Sequence, residues 1–151
     1  MNYTIKLNWA NKEGTFEYDH FSRNHTVTFS GGQSLTNSSA KEFVGDERQS
    51  NPEELMAGAL SSCHMLTFLA LCAKKKMHVL SYQDTAIATL GKNPEGKMWV
   101  EKIEINPQVT FKDLNPSPEE LTVLHQRAHN NCFIANSIKS PVFMNGKDLH
   151  L

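Results

Sequence analysis

The residues of this chain best suited to covalent chemistry are its cysteines, at positions 63, 72 and 132. Cysteine reacts as the thiolate, and an unperturbed thiol with a pKa of about 8.5 is mostly protonated at neutral pH. His64 directly follows Cys63, and His129 stands three residues before Cys132. Each of these two thiols falls on the apolar face of a predicted helix. Two helices packed over one sheet can bring them together, and a bridge between them needs Cα atoms about 4.4–6.8 Å apart. Cys72 follows Cys63 by nine residues, about half a turn round the helix, so it faces away and reads as core. Cys63 lies three turns into its helix, too far for the positive end of the dipole to lower its pKa. A cation must therefore come from elsewhere, and the candidates are Arg23 in FSRNHT, Arg48 in GDERQSNPEE, and Arg127. Arginine keeps its charge on burial and can fork to a carboxylate.

Two acids open the first helix. Glu54 sits where a capping box places its acid, which leaves Glu53 as the better functional candidate. Ten residues of straight helix set Glu53 about 15 Å from Cys63 along the axis and about 80° round it. Glu53 can then serve Cys63 only through a long arginine or across a subunit interface, as an orienter of the cation. A carboxylate beside the sulfur would raise the thiol pKa instead. Two cysteines and two histidines also raise the question of zinc. His129 and Cys132 can share a metal, but Cys63 and His64 diverge by about 100° on a helix. No metal and no other cofactor is expected.

These side chains need elements to hold them. Residues 3–10 and 25–30 alternate apolar and polar with period two and predict strands, the second ending at Gly31-Gly32. The stretch 33–50 is polar and mixed, with a short strand expected at 42–44. Asn51 as cap, Pro52 at the first helical position and Glu54 at the third predict a helix reaching about Lys76. Segments 79–90 and 98–111 read as strands joined by the hairpin connection 91–97. Ser117, Pro118 and Glu120 repeat the helix-start pattern, and Leu121, Leu124, Ala128 and Cys132 share one stripe. Residues 142–144 offer a last strand. Strand runs separated by two helices, without regular βαβ alternation, make an α+β domain spanning 1–151.

Composition narrows the function. The 151 residues carry 15 Lys and Arg against 16 Asp and Glu, a net charge of −1, without the basic surplus a nucleic-acid binder requires. The N-terminal segment has no apolar leader run, and three cysteines are no disulfide framework, so reduced thiols in the cytoplasm are expected. Nineteen uncharged residues, 55–73, meet the lower length bound for a membrane span. Ser61, Ser62, His64 and Thr67 interrupt them, and the segment reads as a central buried helix.

The run NPEELMAGALSSCH, with Cys63 as its cysteine, is followed 69 residues later by AHNNCFIANS, with Cys132. Together they resemble the OsmC/organic hydroperoxide resistance family, over essentially the whole chain. The resemblance implies an OsmC-like fold, an antiparallel sheet on a central helix and a second helix, forming an intertwined homodimer with two interfacial sites. It implies thiol-dependent reduction of organic hydroperoxides, with Cys63 as the peroxidatic thiol and Cys132 as the resolving one. Glu53 would hold an arginine over the thiolate. Arg23 best matches the arginine of the hydroperoxide-resistance branch, whereas Arg48 lies nearer the other branch's arginine without matching its register. Phe133 stands where Pro is common. An external dithiol, lipoyl-type or similar, would restore the thiols, and Met56, Leu60, Met65, Phe68 and Phe133 are candidates to line an apolar peroxide pocket. Two rival classes remain: a dimeric stress-associated binding protein with inert cysteines, and a hydrolase using Cys63 with His129 as base.

Overall fold

The computed structural model describes residues 1–12, 14–112 and 115–149. The chain forms two compact units, Met1–Leu55 and Met56–Leu151.

In the first unit β1 (Ile5–Asn8), β2 (His25–Phe29) and β3 (Ser34–Asn37) form an antiparallel meander in that order. The third strand arises in a stretch whose polar composition hid it. Gly32, at φ 87°, turns the chain after β2, and Ser34 then pairs with Thr28, their hydroxyls 2.8 Å apart. The strand expected at 42–44 is instead a 3-10 turn over Lys41–Phe43. The Phe43 amide donates to the Ala40 carbonyl at 2.9 Å. Val44 follows at φ 63°, a left-handed geometry that no strand ladder accepts.

Helix α1 (Pro52–Lys74) begins at the end of the first unit and continues into the second. Asn51 Oδ1 accepts from the Glu54 amide at 2.9 Å while Glu54 Oε2 accepts from the Asn51 amide at 3.1 Å, the reciprocal box expected from the sequence. The helix stops two residues before the expected Lys76, which lies at φ 60°. Its buried residues, Ala57, Leu60, His64, Phe68 and Cys72, form a single stripe, while Leu66 is 60 % exposed. By length and composition α1 is apolar enough to cross a membrane, yet this stripe is built into the protein core.

The second unit holds β4 (Val79–Gln83), β5 (Ile87–Lys92), β6 (Met98–Ile105), β7 (Gln108–Phe111), α2 (Pro118–Asn130), β8 (Val142–Met144) and β9 (Lys147–Asp148). β4 pairs with β7, and β5-β6-β8-β9 make a second sheet. Among these pairings β6–β8 alone is parallel. The segments 79–90 and 98–111, each read as one strand, both break in the middle. Pro107 has no amide to give a ladder. Asp84 Oδ1 takes the Asn106 amide at 2.6 Å, and Asn106 Nδ2 donates to the Thr85 carbonyl at 3.1 Å. The two breaks lie side by side and are tied together, so the strands before and after them belong to different sheets. The expected hairpin is found, but its connection is shorter than 91–97, because Gly91 and Lys92 still pair with Trp99 and Met98. Within it Asn93 Oδ1 accepts from the amides of Glu95 and Lys97.

Helix α2 starts on a full capping box between Ser117 and Glu120. It ends at Asn130, so Cys132 does not ride on the helix as its place in the stripe implied. It lies two residues beyond, in the turn leading to a 3-10 segment at Ala135–Ser137. Two apolar clusters fill this unit. One joins Leu60, Ile103, Ile105, Cys132 and Val142, with Cys63 packed against it. The other joins Phe68, Cys72, Leu124 and Ala128.

Candidate functional site

Helix α1 delivers Cys63, half-buried, to the first apolar cluster, and the turn after α2 delivers Cys132 to the same cluster, fully buried. Both are free thiols. Burial first, and then the neighbouring Cys63 sulfur, push the Cys132 thiol up to about 11, so Cys132 carries its proton at neutral pH. The turn that follows partly offsets this, because the Ala135 amide donates to Cys132 Sγ at 3.4 Å. Cys132 is thus a protonated thiol set beside the Cys63 sulfur, with a backbone donor ready to receive charge on its own sulfur. Cys72 lies in the other cluster, where burial raises its thiol.

The first unit positions Arg23, Arg48 and Glu53. Arg23 Nη1 donates to the Phe21 carbonyl at 2.6 Å and Nη2 to the Tyr18 carbonyl. Its guanidinium lies 3.8 Å from the Phe21 ring centre, a cation–π contact. The Arg23 carbonyl accepts from His25 Nδ1 at 2.8 Å, and His25 Nε2 meets Asn37 Nδ2 at 3.2 Å. Arg23 lines a cavity of about 380 Å³ whose wall also includes Trp9, Phe16, Phe21 and Pro52. Glu53, next to Pro52, is half-buried, and its Oε2 is buried with no hydrogen-bond partner among the described residues. Arg48 is exposed and forks to Asp46, Nε to Oδ1 and Nη2 to Oδ2, both at 2.9 Å. That fork holds the Asp46 carboxyl well below the usual carboxylate range. Arg127 is exposed on α2.

Of the residues suggested as a peroxide pocket, Leu60 and Phe68 have no exposed surface and belong to different core clusters, whereas Phe133 is 80 % exposed. They are separate features, not one wall. Among the described residues no three His, Cys, Asp or Glu side chains are grouped as a metal would require.

Sequence reasoning missed His125. His64 Nε2 and His125 Nδ1 lie 3.0 Å apart, and the residues are 1 % and 3 % exposed. Phe68 stacks on His125 with ring centres 4.3 Å apart. Burial pushes His64 down to about 3, with the nearby His125 and His129 adding to it, and pushes His125 down to about 4 against the pull of Asp84. Ser61, one turn before His64, donates its hydroxyl to Asp84 Oδ2. The available signal was helical spacing, since His125 shares the buried face of Leu124 and Ala128.

The OsmC-like protein family model matches residues 45–145, a span that includes α1, α2, the strands β4 to β8 and Cys63 and Cys132. The chain belongs to the OsmC-like family. It is 38% identical to an OsmC-like protein of unknown function from Vibrio cholerae, over 96% of this chain and 98% of that one, with a TM-score of 0.90. The organic hydroperoxide resistance protein OhrB of Bacillus subtilis shares the fold at 16% identity and a TM-score of 0.64, over 95% of each chain. The uncharacterized YmaD of Bacillus subtilis is 24% identical over 93% of this chain and 89% of its own length. The α+β architecture expected of the family is the one found. Arg23 lies before the matched span, so its place rests on the geometry of the first unit.

Proposed function

We propose that this OsmC-like protein is a thiol-dependent reductase of organic hydroperoxides. The observation carrying that reading is the pairing of a half-buried Cys63 with a protonated, fully buried Cys132 in one cluster. The Cys63 thiolate attacks the peroxide oxygen, the O–O bond breaks, and the alkoxide leaves as alcohol after taking a proton. Cys63 is left as a sulfenic acid, which Cys132 condenses to a disulfide with release of water. An external dithiol, lipoyl-type or similar, then reduces the disulfide. Arg23 is the cation we assign to Cys63 activation, with Glu53 as its orienter. Arg23 shares a cavity wall with Pro52 beside Glu53, and the orphaned Glu53 oxygen calls for a positive partner. Arg48 is engaged by Asp46 at the surface.

We also take residues 1–151 as one domain of a cytoplasmic homodimer. Helix α1 runs through both units. Tyr3, Leu7, Leu66 and Phe133 are 90 %, 63 %, 60 % and 80 % exposed on the single chain, apolar area that a second copy would cover. The test is a thiol titration before and after one equivalent of tert-butyl hydroperoxide. Loss of two thiols per chain, prevented by replacing Cys132, supports the reading. Unchanged thiols would leave a binding protein with inert cysteines, and ester turnover without thiol loss would favour a hydrolase.

A further inference from the structure

The His64–His125 pair has no part in the scheme above, yet it joins the two segments that carry the thiols. His64 is the residue after Cys63 on α1, and His125 lies on α2, which ends five residues later at Asn130, two residues before Cys132. Their nitrogens are 3.0 Å apart and their rings nearly parallel, at 10°. Phe68 covers the His125 face, and Ser61 ties the same stretch of α1 to Asp84 at the strand breaks.

Two apolar side chains would fill this space at lower cost, because burying imidazoles forfeits their hydration. What the imidazoles add is direction: a hydrogen bond fixes where one helix stands against the other, and registry is the best-attested use of a buried polar pair. A single hydrogen lies between the two nitrogens. His64 Nδ1 is buried with no hydrogen-bond partner among the described residues. Were His125 the donor, His64 would carry its proton on that orphaned atom, and a buried orphan N–H is the rarer and costlier case. The donor is therefore His64 Nε2–H and the acceptor His125 Nδ1.

We propose that this hydrogen bond is a positioning pair for disulfide formation, holding the turn that bears Cys132 against Cys63. The proposal rests on the peroxidase reading of the two thiols. In that step the Cys132 sulfur bonds to the Cys63 sulfur, the S–O bond breaks, and the Cys132 proton departs with the hydroxide as water. The competing step is attack of the sulfenic acid on a second hydroperoxide, which yields a sulfinic acid and an alcohol. Position decides between them, because condensation needs the second sulfur in place and over-oxidation does not.

The experiment reads the ratio of Cys63 sulfinic acid to Cys63–Cys132 disulfide by mass spectrometry after exposure to tert-butyl hydroperoxide. His64→Phe keeps the ring volume and removes the donor; His64→Gln places an amide N–H near the position of Nε2–H. The ratio is expected to rise about tenfold in His64→Phe and to return to within about threefold of wild type in His64→Gln. An unchanged ratio in His64→Phe overturns the proposal. So does an equal rise in both variants, which would mark a packing role only. Should His64→Phe fail to fold, the same comparison is made between His125→Leu and His125→Asn, whose Oδ1 replaces the Nδ1 acceptor. A wild-type protein that forms no disulfide with the hydroperoxide instead refutes the underlying reading of the thiols, an outcome distinct from a disulfide whose yield ignores the histidines.

Discussion

Cys63 and Cys132 differ in surroundings more than in chemistry, and those surroundings suit them to the different tasks proposed for them. A thiol held protonated up to about 11 is a poor first nucleophile and a suitable second one, because it condenses only once its neighbour has become an electrophile. Cys63→Ser is expected to abolish peroxide reduction in a coupled turnover assay, since a hydroxyl is not ionised at neutral pH. Residual turnover would place the chemistry elsewhere. Cys132→Ser should complete one reduction per chain and then accumulate sulfinic acid at Cys63, visible as a mass increase of two oxygens. Sustained cycling in that variant would remove Cys132 from the resolving role. Glu53 carries the third expectation. Its buried, unpartnered oxygen fits a carboxylate that orients a cation, and losing about 1.4 kcal/mol of cation–thiolate attraction slows the first step about tenfold. Glu53→Gln should show that loss in stopped-flow oxidation with an unchanged circular dichroism spectrum.

The elements are fixed at their ends by short-range chemistry. Asn51 and Glu54 cap α1 reciprocally, and Ser117 and Glu120 do the same for α2. Asn51→Ala and Ser117→Ala are each expected to lower stability by about 1 kcal/mol, read as a shift in the urea midpoint with an unchanged slope. A loss confined to one variant would show that the other cap is redundant. Both caps and both Pro-Glu-Glu starts were legible in the sequence because a cap is a contact among four consecutive residues. The strand breaks were not. Asp84 and Asn106 stand 22 residues apart, and only once the strands pair can Asp84 take the Asn106 amide. The same holds for the end of α2: the apolar stripe continues through Cys132, but the helix does not, and periodicity alone cannot see that Asn131 has left helical geometry.

At the scale of the whole molecule, the buried histidines contribute to the response to acid. His64 and His125 are depressed to about 3 and about 4 in the folded chain, against an unfolded value of about 6.5. Between those values the unfolded chain binds more protons than the folded one, so the histidine contribution to stability falls as pH drops from about 6.5 towards 4 and is level above about 7. His129, Asp84 and Tyr82 neighbour the pair, and of these Asp84 opposes the depression of His125. Chemical denaturation at pH 7, 6 and 5 should show the decline, and His64→Gln should make it shallower; an equally steep decline without His64 would locate the proton uptake elsewhere. At the same scale, sedimentation should give twice the 17.0 kDa chain mass if a second copy covers the exposed apolar side chains.

The sequence alone determined the two capped helices, most of the strands, the near-neutral charge and the two cysteines worth attention, because each of these is set by residues close in the chain or by the sum of them. Its two motifs, 69 residues apart, also carried the family. Tertiary structure alone decided what lies beside what. It brought Cys132 to Cys63 in one cluster, gave Arg23 to an aromatic cavity, and joined His64 to a histidine 61 residues away. Burial is a property of the folded neighbourhood and not of a residue type. For that reason the protonation states of Cys132 and of both histidines, on which the proposed chemistry and the expected acid response rest, exist only after the helices and sheets have packed.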